Sequence, residues 1–527
     1  MPSLKTVLKI GTILGEGTKA YTVEKVTYDA IYLRGHPDAR RGEGINLNGV
    51  LRIIPTIVIE DILRGLESKK INLDDIVRKK GDEQKYDLFS VLGVDHDKYI
   101  LGYDSTIYKI CEFCFNYKPD ASLLINAVIS QNVLPKPFLL LAGISGTGKT
   151  RFVREQAAAH NKGNSNYCLI PVRPDWHEPS DLLGYISRIG LEGPCYVVTK
   201  LLVFIVAAWQ NAFFSVEENK LICKHAAEMT PYWLCLDEMN LAPVEQYFAD
   251  YLSVLETRKW ENEEYSCDPL LVSDTIKLLN ADMPDIGQEK LRKDLKLIGE
   301  ENDALWAYFL NNGIPIPPNL IVAGTVNMDE TTHGFSRKVI DRAFTIDFGV
   351  FYPNDYDHYF EPPIRPKTLS FPLLSQVSKE DLSVVSADTD GLKSIDFLTA
   401  INTVLKGTPF ELAYRALNEL LLAVVSFAPK DDLELQAVWD DFLMTKVLPR
   451  IDGDGDKLNA NGDDSSLLTQ LLVVVEAQFT AILSGHRPDL LCEKIDGGVH
   501  LVDWRAKQKL EWMQKRLGAN GFTTFWP

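Results

Sequence analysis

The sequence predicts an α/β core on a buried sheet, with a small α+β domain before it and a mainly helical region after it. Three observations point there. The apolar run Phe138-Leu139-Leu140-Leu141-Ala142 has the length and bulk of a parallel strand buried on both faces. It enters a glycine-rich turn, from which residues 151–159 continue as a run of good helix formers. Further apolar runs over 167–170, 232–236, 320–326 and 345–348 are separated by longer helical stretches.

The turn reads Gly143-Ile144-Ser145-Gly146-Thr147-Gly148-Lys149-Thr150 and satisfies G-x-x-x-x-G-K-[ST] at every fixed position. Backbone N–H groups along Gly143, Ser145, Gly146, Thr147 and Gly148 wrap phosphate oxygens, and the helix N-terminus adds the positive end of its dipole. Lys149 then reaches the β- and γ-phosphates while the Thr150 hydroxyl holds Mg²⁺. The expectation is a chain that binds a nucleoside triphosphate.

At 527 residues, 46% hydrophobic and 24% charged, the chain has a globular composition and is too long for one core. No apolar h-region follows Met1, and the longest apolar run, 201–209, is half a bilayer span; a cytoplasmic protein without membrane association is expected. Eight scattered cysteines suggest no disulfide framework, and Cys111 and Cys114 form a C-x-x-C with no second pair at zinc spacing, so they read as free thiols. A net charge of −18 argues against indiscriminate coating of nucleic acid. Residues 1–118 carry 18 Lys and Arg against 17 Asp and Glu, a balance of +1 that leaves −19 for the rest. Any nucleic-acid surface is therefore expected to be a local patch, in that N-terminal part.

Residues 1–118 read as the α+β domain. Residues 21–28 and 30–33 are β-rich with a break at Asp29, which predicts a hairpin, followed by a strand near 50–54 and a helix over 57–66. Arg34, Arg40 and Arg41 fall on a polar loop, 34–42, and are candidates for phosphate or base contacts. A helix over 121–131 leads into the nucleotide domain, residues 119–352. Within it, Ser180 or Asp181 is placed to cap a helix, 201–214 and 244–256 read as helices, and 257–316 reads as a charged insertion.

Two further stretches carry chemistry. Tyr232-Trp233-Leu234-Cys235-Leu236-Asp237-Glu238 is an apolar strand ending in two carboxylates. Asp237 suits the Mg²⁺ ion and Glu238 suits polarising the attacking water. The strand over 320–327 ends in Asn327, suited to orienting that water or sensing the γ-phosphate. Residues 353–527 read as a helical lid and C-terminal helices, over 395–404, 411–426, 433–447, 465–482 and 504–517. Asp452, Asp454 and Asp456 resemble a calcium loop, but Lys457 stands where the turn needs Gly, so an acidic surface loop is expected. Pro488-Asp489 and Glu493-Lys494 fall in a helical-looking stretch, with no strand to present them as a nuclease core.

Together GISGTGKT, VRPDWHEPSDLLGY, LCLDEMN, GTVNMDETTHGFSRKVIDRAF and WMQKRLGANGFTTFWP resemble the McrB-type branch of AAA+ NTPases, motor subunits of modification-dependent restriction systems. The resemblance covers roughly residues 121–527. It implies an AAA+ core with a helical lid, a hexameric ring with nucleotide between subunits, a separate McrC-like nuclease subunit, and DNA recognition through residues 1–118. It also implies an arginine finger from a neighbouring subunit and a lid arginine returned to the phosphates. Arg342 matches the finger best, with Arg337 as runner-up; Arg415 is the lid residue, with Arg450 as the alternative. McrB itself carries MNxxDR after its sensor strand, where this chain has Val326-Asn327-Met328-Asp329-Glu330. The family's GTP preference therefore does not transfer, and the substrate is ATP or GTP. A MoxR-like chaperone that remodels a protein complex is the competing expectation.

Overall fold

Five of the apolar runs become strands of one sheet: β1 (Phe138–Gly143), β2 (Tyr167–Pro171), β3 (Tyr232–Asp237), β4 (Leu320–Asn327) and β5 (Phe344–Asp347). In this computed structural model they hydrogen-bond in the order β5-β1-β4-β3-β2, all parallel. Every residue of β1 is buried, as are the first five of β3 and the first seven of β4, which is why these strands read as unbroken apolar runs. Because the strands are parallel, their C-terminal ends share one edge. Gly143, Asp237 and Asn327 are brought together there.

The structure describes residues 132–526 apart from 162, 164, 190–193, 218, 262–263, 281–285, 329–334, 354–355, 357–359, 361–363, 459–465 and 483–484. Within 1–131 it describes 13–14, 21–26, 30–35, 40–41, 45–46, 51–55, 59, 62–63 and 110–111. The helix expected over 121–131 and Cys114, Asp329 and Glu330 lie outside the described residues. The chain divides into two units, Met1–Asp120 and Ala121–Pro527.

In the first unit, Ile13–Leu14, Tyr21–Val26, Ala30–Gly35 and Leu51–Pro55 form a four-stranded antiparallel sheet with Val23, Ile31, Leu33 and Ile54 buried. The polar loop is shorter than expected. Arg34 belongs to the strand Ala30–Gly35 and is exposed, and Arg40–Arg41 pairs with Ile45–Asn46.

In the second unit, α1 (Lys149–His160) follows the glycine turn, and α2 (Lys200–Ala212) is capped by the Thr199 hydroxyl, which accepts from the Leu202 N–H at 3.3 Å. α2 stops short of residue 214 because Phe213 opens a hairpin, Phe213–Glu217 against Lys220–Cys223. Another hairpin, Gly184–Ser187 against Cys195–Val198, follows a short helix, Pro179–Leu183. Glu178 is the N-cap of that helix, and Asp181 accepts from the His177 and Glu178 N–H groups at 2.8 and 3.0 Å. The helix expected over 244–256 is broken at Phe248 into Val244–Tyr247 and α3 (Ala249–Leu255), the Phe248 ring stacking on Tyr251 at 4.7 Å. Residues 257–316 hold a hairpin, Lys259–Glu261 with Glu264–Ser266, as well as helices, the longest Asp303–Asn312.

After β4 come α4 (Arg337–Arg342), β5, α5 (Tyr414–Phe427), α6 (Asp432–Phe442) and α7 (Arg505–Asn520). This region is less purely helical than the sequence predicts. His486–Lys494 is a strand, set between Ile364–Pro366 and Val499–Asp503 in an antiparallel sheet. Pro488 and the charged residues around it mask its β character. Its Asp489 is buried, pairs with Arg505 at 2.7 Å and accepts from the Leu491 N–H, while Glu493 pairs with Arg365 at 2.6 Å. Both carboxylates are thus engaged internally. Arg487 lies fully buried between Asp440 and Asp441, Arg505 bridges Asp441 to Asp489, and Asp440 also accepts the Arg505 and Ala506 N–H groups at the start of α7. This ionic core joins α6, α7 and the strand. Asp452 pairs with Lys457 at 3.1 Å and Asp454 accepts the Lys457 N–H at 2.9 Å, so the calcium-like loop is closed by its own lysine. Among the described residues no helix is long and apolar enough to cross a membrane.

Candidate functional site

The turn after β1 has the backbone that its glycines allow. Gly146 and Gly148 lie at φ +84° and +91°, and a Cβ on either would meet nothing within 4 Å, so both face open space. Lys149, in the first turn of α1, is 6% exposed, and its ammonium curls back on the loop, donating to the Gly143 and Ile144 carbonyls at 3.1 and 2.8 Å. Burial pushes its pKa down, against the opposing pull of Asp237 and Glu238.

Across the sheet edge one hydroxyl–carboxylate network ties α1 to the two strands β3 and β4. The Thr150 hydroxyl donates to Asp237 Oδ1 at 2.7 Å, and the Thr325 hydroxyl donates to the same oxygen at 2.8 Å. Thr325 also accepts the Glu238 N–H at 2.9 Å. Asn327 donates from its amide to Glu238 Oε1 at 3.1 Å, and the Asn327 carbonyl accepts from Asn240 at 2.9 Å. Glu238 itself lies at φ +52°, in the left-handed region that a non-glycine residue enters only under local restraint. The Thr325 and Asn327 bonds supply that restraint.

This donor set suits the groups that the sequence suggests. Thr150 and Asp237 offer hard oxygen ligands 2.7 Å apart, as Mg²⁺ requires, and among the described residues neither hydrogen bond to Asp237 falls on Oδ2. The open-faced glycines and the Lys149 ammonium suit a polyphosphate. The structure therefore brings Gly143, Ser145, Gly146, Thr147, Gly148, Lys149, Thr150, Asp237, Glu238 and Asn327 to one edge of one sheet. It adds Thr325 and Asn240, which the sequence reading passed over. The signal for Thr325 was present, as a lone hydroxyl inside an otherwise apolar run is a buried polar group in need of partners.

The arginines lie elsewhere. Phe344 of β5 pairs with Leu139 and Asp347 with Ala142, so α4, which ends at Arg342, delivers the chain to the entering edge of the sheet. From Phe138 to Gly143 the strand rises about 16 Å. Lys136, just before β1, donates to the Asp341 and Ala343 carbonyls at 2.9 and 3.2 Å and pairs with Glu419 of α5 at 2.7 Å. Lys446 donates to the same Asp341 carbonyl and pairs with the same Glu419, both at 2.8 Å. Burial in this cluster pushes the Lys136 pKa down to about 7 despite Glu419. Arg342 pairs with Glu256 at 2.9 Å, and Arg415, one turn before Glu419, pairs with Glu256 at 2.5 Å.

Arg415, expected to return to the phosphates, is paired here with Glu256. Its helix packs at the start of β1, and its guanidinium sits beside that of Arg342. Arg337 donates to the Pro409 carbonyl at 2.6 Å and lies over the Phe410 ring. Arg450 lies 3.2 Å from Asp341 without hydrogen-bond alignment. All four arginines are engaged by these partners, none of which belongs to the glycine turn.

A family model described as a domain of unknown function, DUF8727, matches residues 376–522, a span that includes α5, α6, α7 and their buried ionic core but none of the phosphate-turn edge. No curated protein matches the chain.

Proposed function

We propose that the chain is a Mg²⁺-dependent nucleoside triphosphatase of the AAA+ type, completed by a second copy of itself. The carrying observation is the unbroken set of bonds from Thr150 through Asp237 and Thr325 to Glu238 and Asn327, beside a glycine turn of phosphate-binding sequence. Ligands of open parallel sheets bind outside the carboxyl ends of the strands, where these residues lie. Lys149 exchanges its loop carbonyls for phosphate oxygens. Thr150 and Asp237 hold Mg²⁺, which when bound neutralises charge on the phosphate oxygens. Glu238 accepts the proton of the attacking water, and Asn327 holds its carboxylate in place. Arg342, with its guanidinium at the far edge of its own sheet, serves a neighbour's nucleotide. ATP and GTP are both compatible with these contacts, none of which reads a base.

The resemblance in five segments further supports a motor subunit of a McrBC-like restriction or defence system, working on DNA through residues 1–118 with a separate nuclease subunit. Phosphate release and nucleotide binding test the first part. Glu238→Gln is expected to bind nucleotide and lose most turnover, whereas Lys149→Ala weakens binding itself; a Glu238→Gln variant with wild-type turnover refutes the assignment. A salt titration of the full chain on modified and unmodified duplexes tests the second part. No binding to either duplex, with nucleotide and nuclease partner present, rejects the DNA role and favours remodelling of a protein complex.

A further inference from the structure

We propose that Glu256 is a positioning residue that gathers Arg342 and Arg415 into one cationic pair for the triphosphate held by a second copy of this chain. The inference rests on the trans reading of Arg342 given above. Glu256 is the residue at which α3 ends. A carboxylate there faces the negative end of the helix dipole, a placement that helices disfavour. Two guanidinium groups offset it, one per oxygen: Arg342 Nη2 lies 2.9 Å from Oε2 and Arg415 Nη1 lies 2.5 Å from Oε1.

Three charges held this way leave a net +1, and the carboxylate keeps two like charges side by side that would otherwise separate. Arg342 Nε is buried without a hydrogen-bond partner, and the side chains of Arg342, Glu256 and Arg415 are 20%, 32% and 50% exposed. The pair is therefore partly open on the side of Arg415, where donors that Glu256 does not use reach solvent. Planar guanidinium forks suit phosphate oxygens bidentately.

The platform beneath the pair is fixed. The Asp341 carbonyl, one residue before Arg342, accepts from both Lys136 and Lys446, and Glu419, one turn beyond Arg415, pairs with both lysines. Only the two long side chains remain to be oriented: Glu256 orients Arg415, and for Arg342 it acts with the Lys338 carbonyl, which accepts from Nη1 at 3.0 Å. The chain's own phosphate turn lies at the opposite edge of the sheet, so the anion for this pair comes from another copy.

The test uses full-length Glu256→Gln and Glu256→Ala, assayed for turnover alone and mixed with Glu238→Gln subunits. Each Glu256 variant is expected to lose about 10–100-fold in kcat, with KM within about threefold of wild type, because arginine placement and not nucleotide binding is disturbed. Mixing is expected to recover activity, since Glu238→Gln subunits carry an intact arginine pair and the Glu256 variants carry an intact Glu238. A role in folding alone would not be repaired by an inactive partner. Wild-type kcat in both Glu256 variants overturns the proposal, and so does a loss that mixing leaves unchanged. Glu238→Gln and Arg342→Ala in the same assay separate the failures: if both retain turnover, the hydrolase reading falls too, and if both lose it, only the role of Glu256 falls.

Discussion

Replacing Thr325 by Val tests whether the network at the sheet edge is a working device or a packing detail. The two side chains have the same shape, and Thr325 is 2% exposed, so the substitution removes a hydroxyl without opening a cavity. Two bonds vanish with it, the one accepted from the Glu238 N–H at 2.9 Å and the one donated to Asp237 at 2.8 Å. Leaving a buried N–H unpaired costs about 1–3 kcal/mol, the expected loss of stability in urea unfolding. The larger consequence falls on Glu238. Its backbone at φ +52° carries about 1–2 kcal/mol of strain, and without the Thr325 acceptor that strain is free to relax. A carboxylate displaced by about 1 Å loses roughly 100-fold in rate, so kcat is expected to fall by about 10–100-fold. Nucleotide affinity should hold within about threefold, because Lys149 and the glycine turn keep their contacts. Thr325→Ser, which keeps the hydroxyl, should recover most of the rate. A Val variant with wild-type kcat would refute the claim that Thr325 positions Glu238.

Two other variants probe charge burial. Lys136 titrates near 7 in the folded chain against 10.5 in the unfolded one. The unfolded state therefore binds more protons between these values, so the stability of the wild type rises with pH across that window, by about 2 kcal/mol from pH 7 to 8.5. Lys136→Met should flatten that rise in urea titrations at the two pH values, and equal slopes in both proteins would contradict the burial argument. Arg487→Met leaves Asp441 with Arg505 and Asp440 with only the Arg505 and Ala506 N–H groups, and breaking a buried pair from one side costs about 3–5 kcal/mol. A loss under about 1 kcal/mol, read from the same unfolding curves, would mean that the aspartates protonate and do not stay charged.

The parts legible in the sequence are those where a single physical requirement dominates. Burial on both faces forces the unbroken apolar runs of β1, β3 and β4, and the tight turn after β1 places Gly146 and Gly148 at φ values that suit glycine. Residues legible only in three dimensions answer to partners far along the chain. Thr325 meets Asp237 and Glu238 from the neighbouring strand, 87 to 88 positions away in sequence, and Glu256 meets an arginine 159 positions later. The strand His486–Lys494 was misread because its charged residues look like the polar face of a helix. In the fold, Arg487 and Asp489 are the buried ones, and their charges are answered by Asp440, Asp441 and Arg505. The pairing of Arg415 with Glu256 is illegible for a related reason: motif spacing orders residues along the chain but does not tell which edge of the sheet a following helix packs against.

That last point bears on assembly. A parallel sheet has two chemically distinct edges, and here the phosphate turn, Asp237, Glu238 and Asn327 occupy the leaving edge while Arg342 and Arg415 gather at the entering edge. On the proposed reading, a complete site joins the leaving edge of one copy to the entering edge of the next. Such a contact uses two different surfaces, and head-to-tail contacts of this kind either close into rings or continue as filaments. Both half-sites are referred to the same strand: β1 ends in the phosphate turn, and Lys136 before β1 clamps the end of α4 through the Asp341 and Ala343 carbonyls. On that reading the separation between Arg342 and the glycine turn of one chain follows the length of β1, whereas Arg415 is carried by α5.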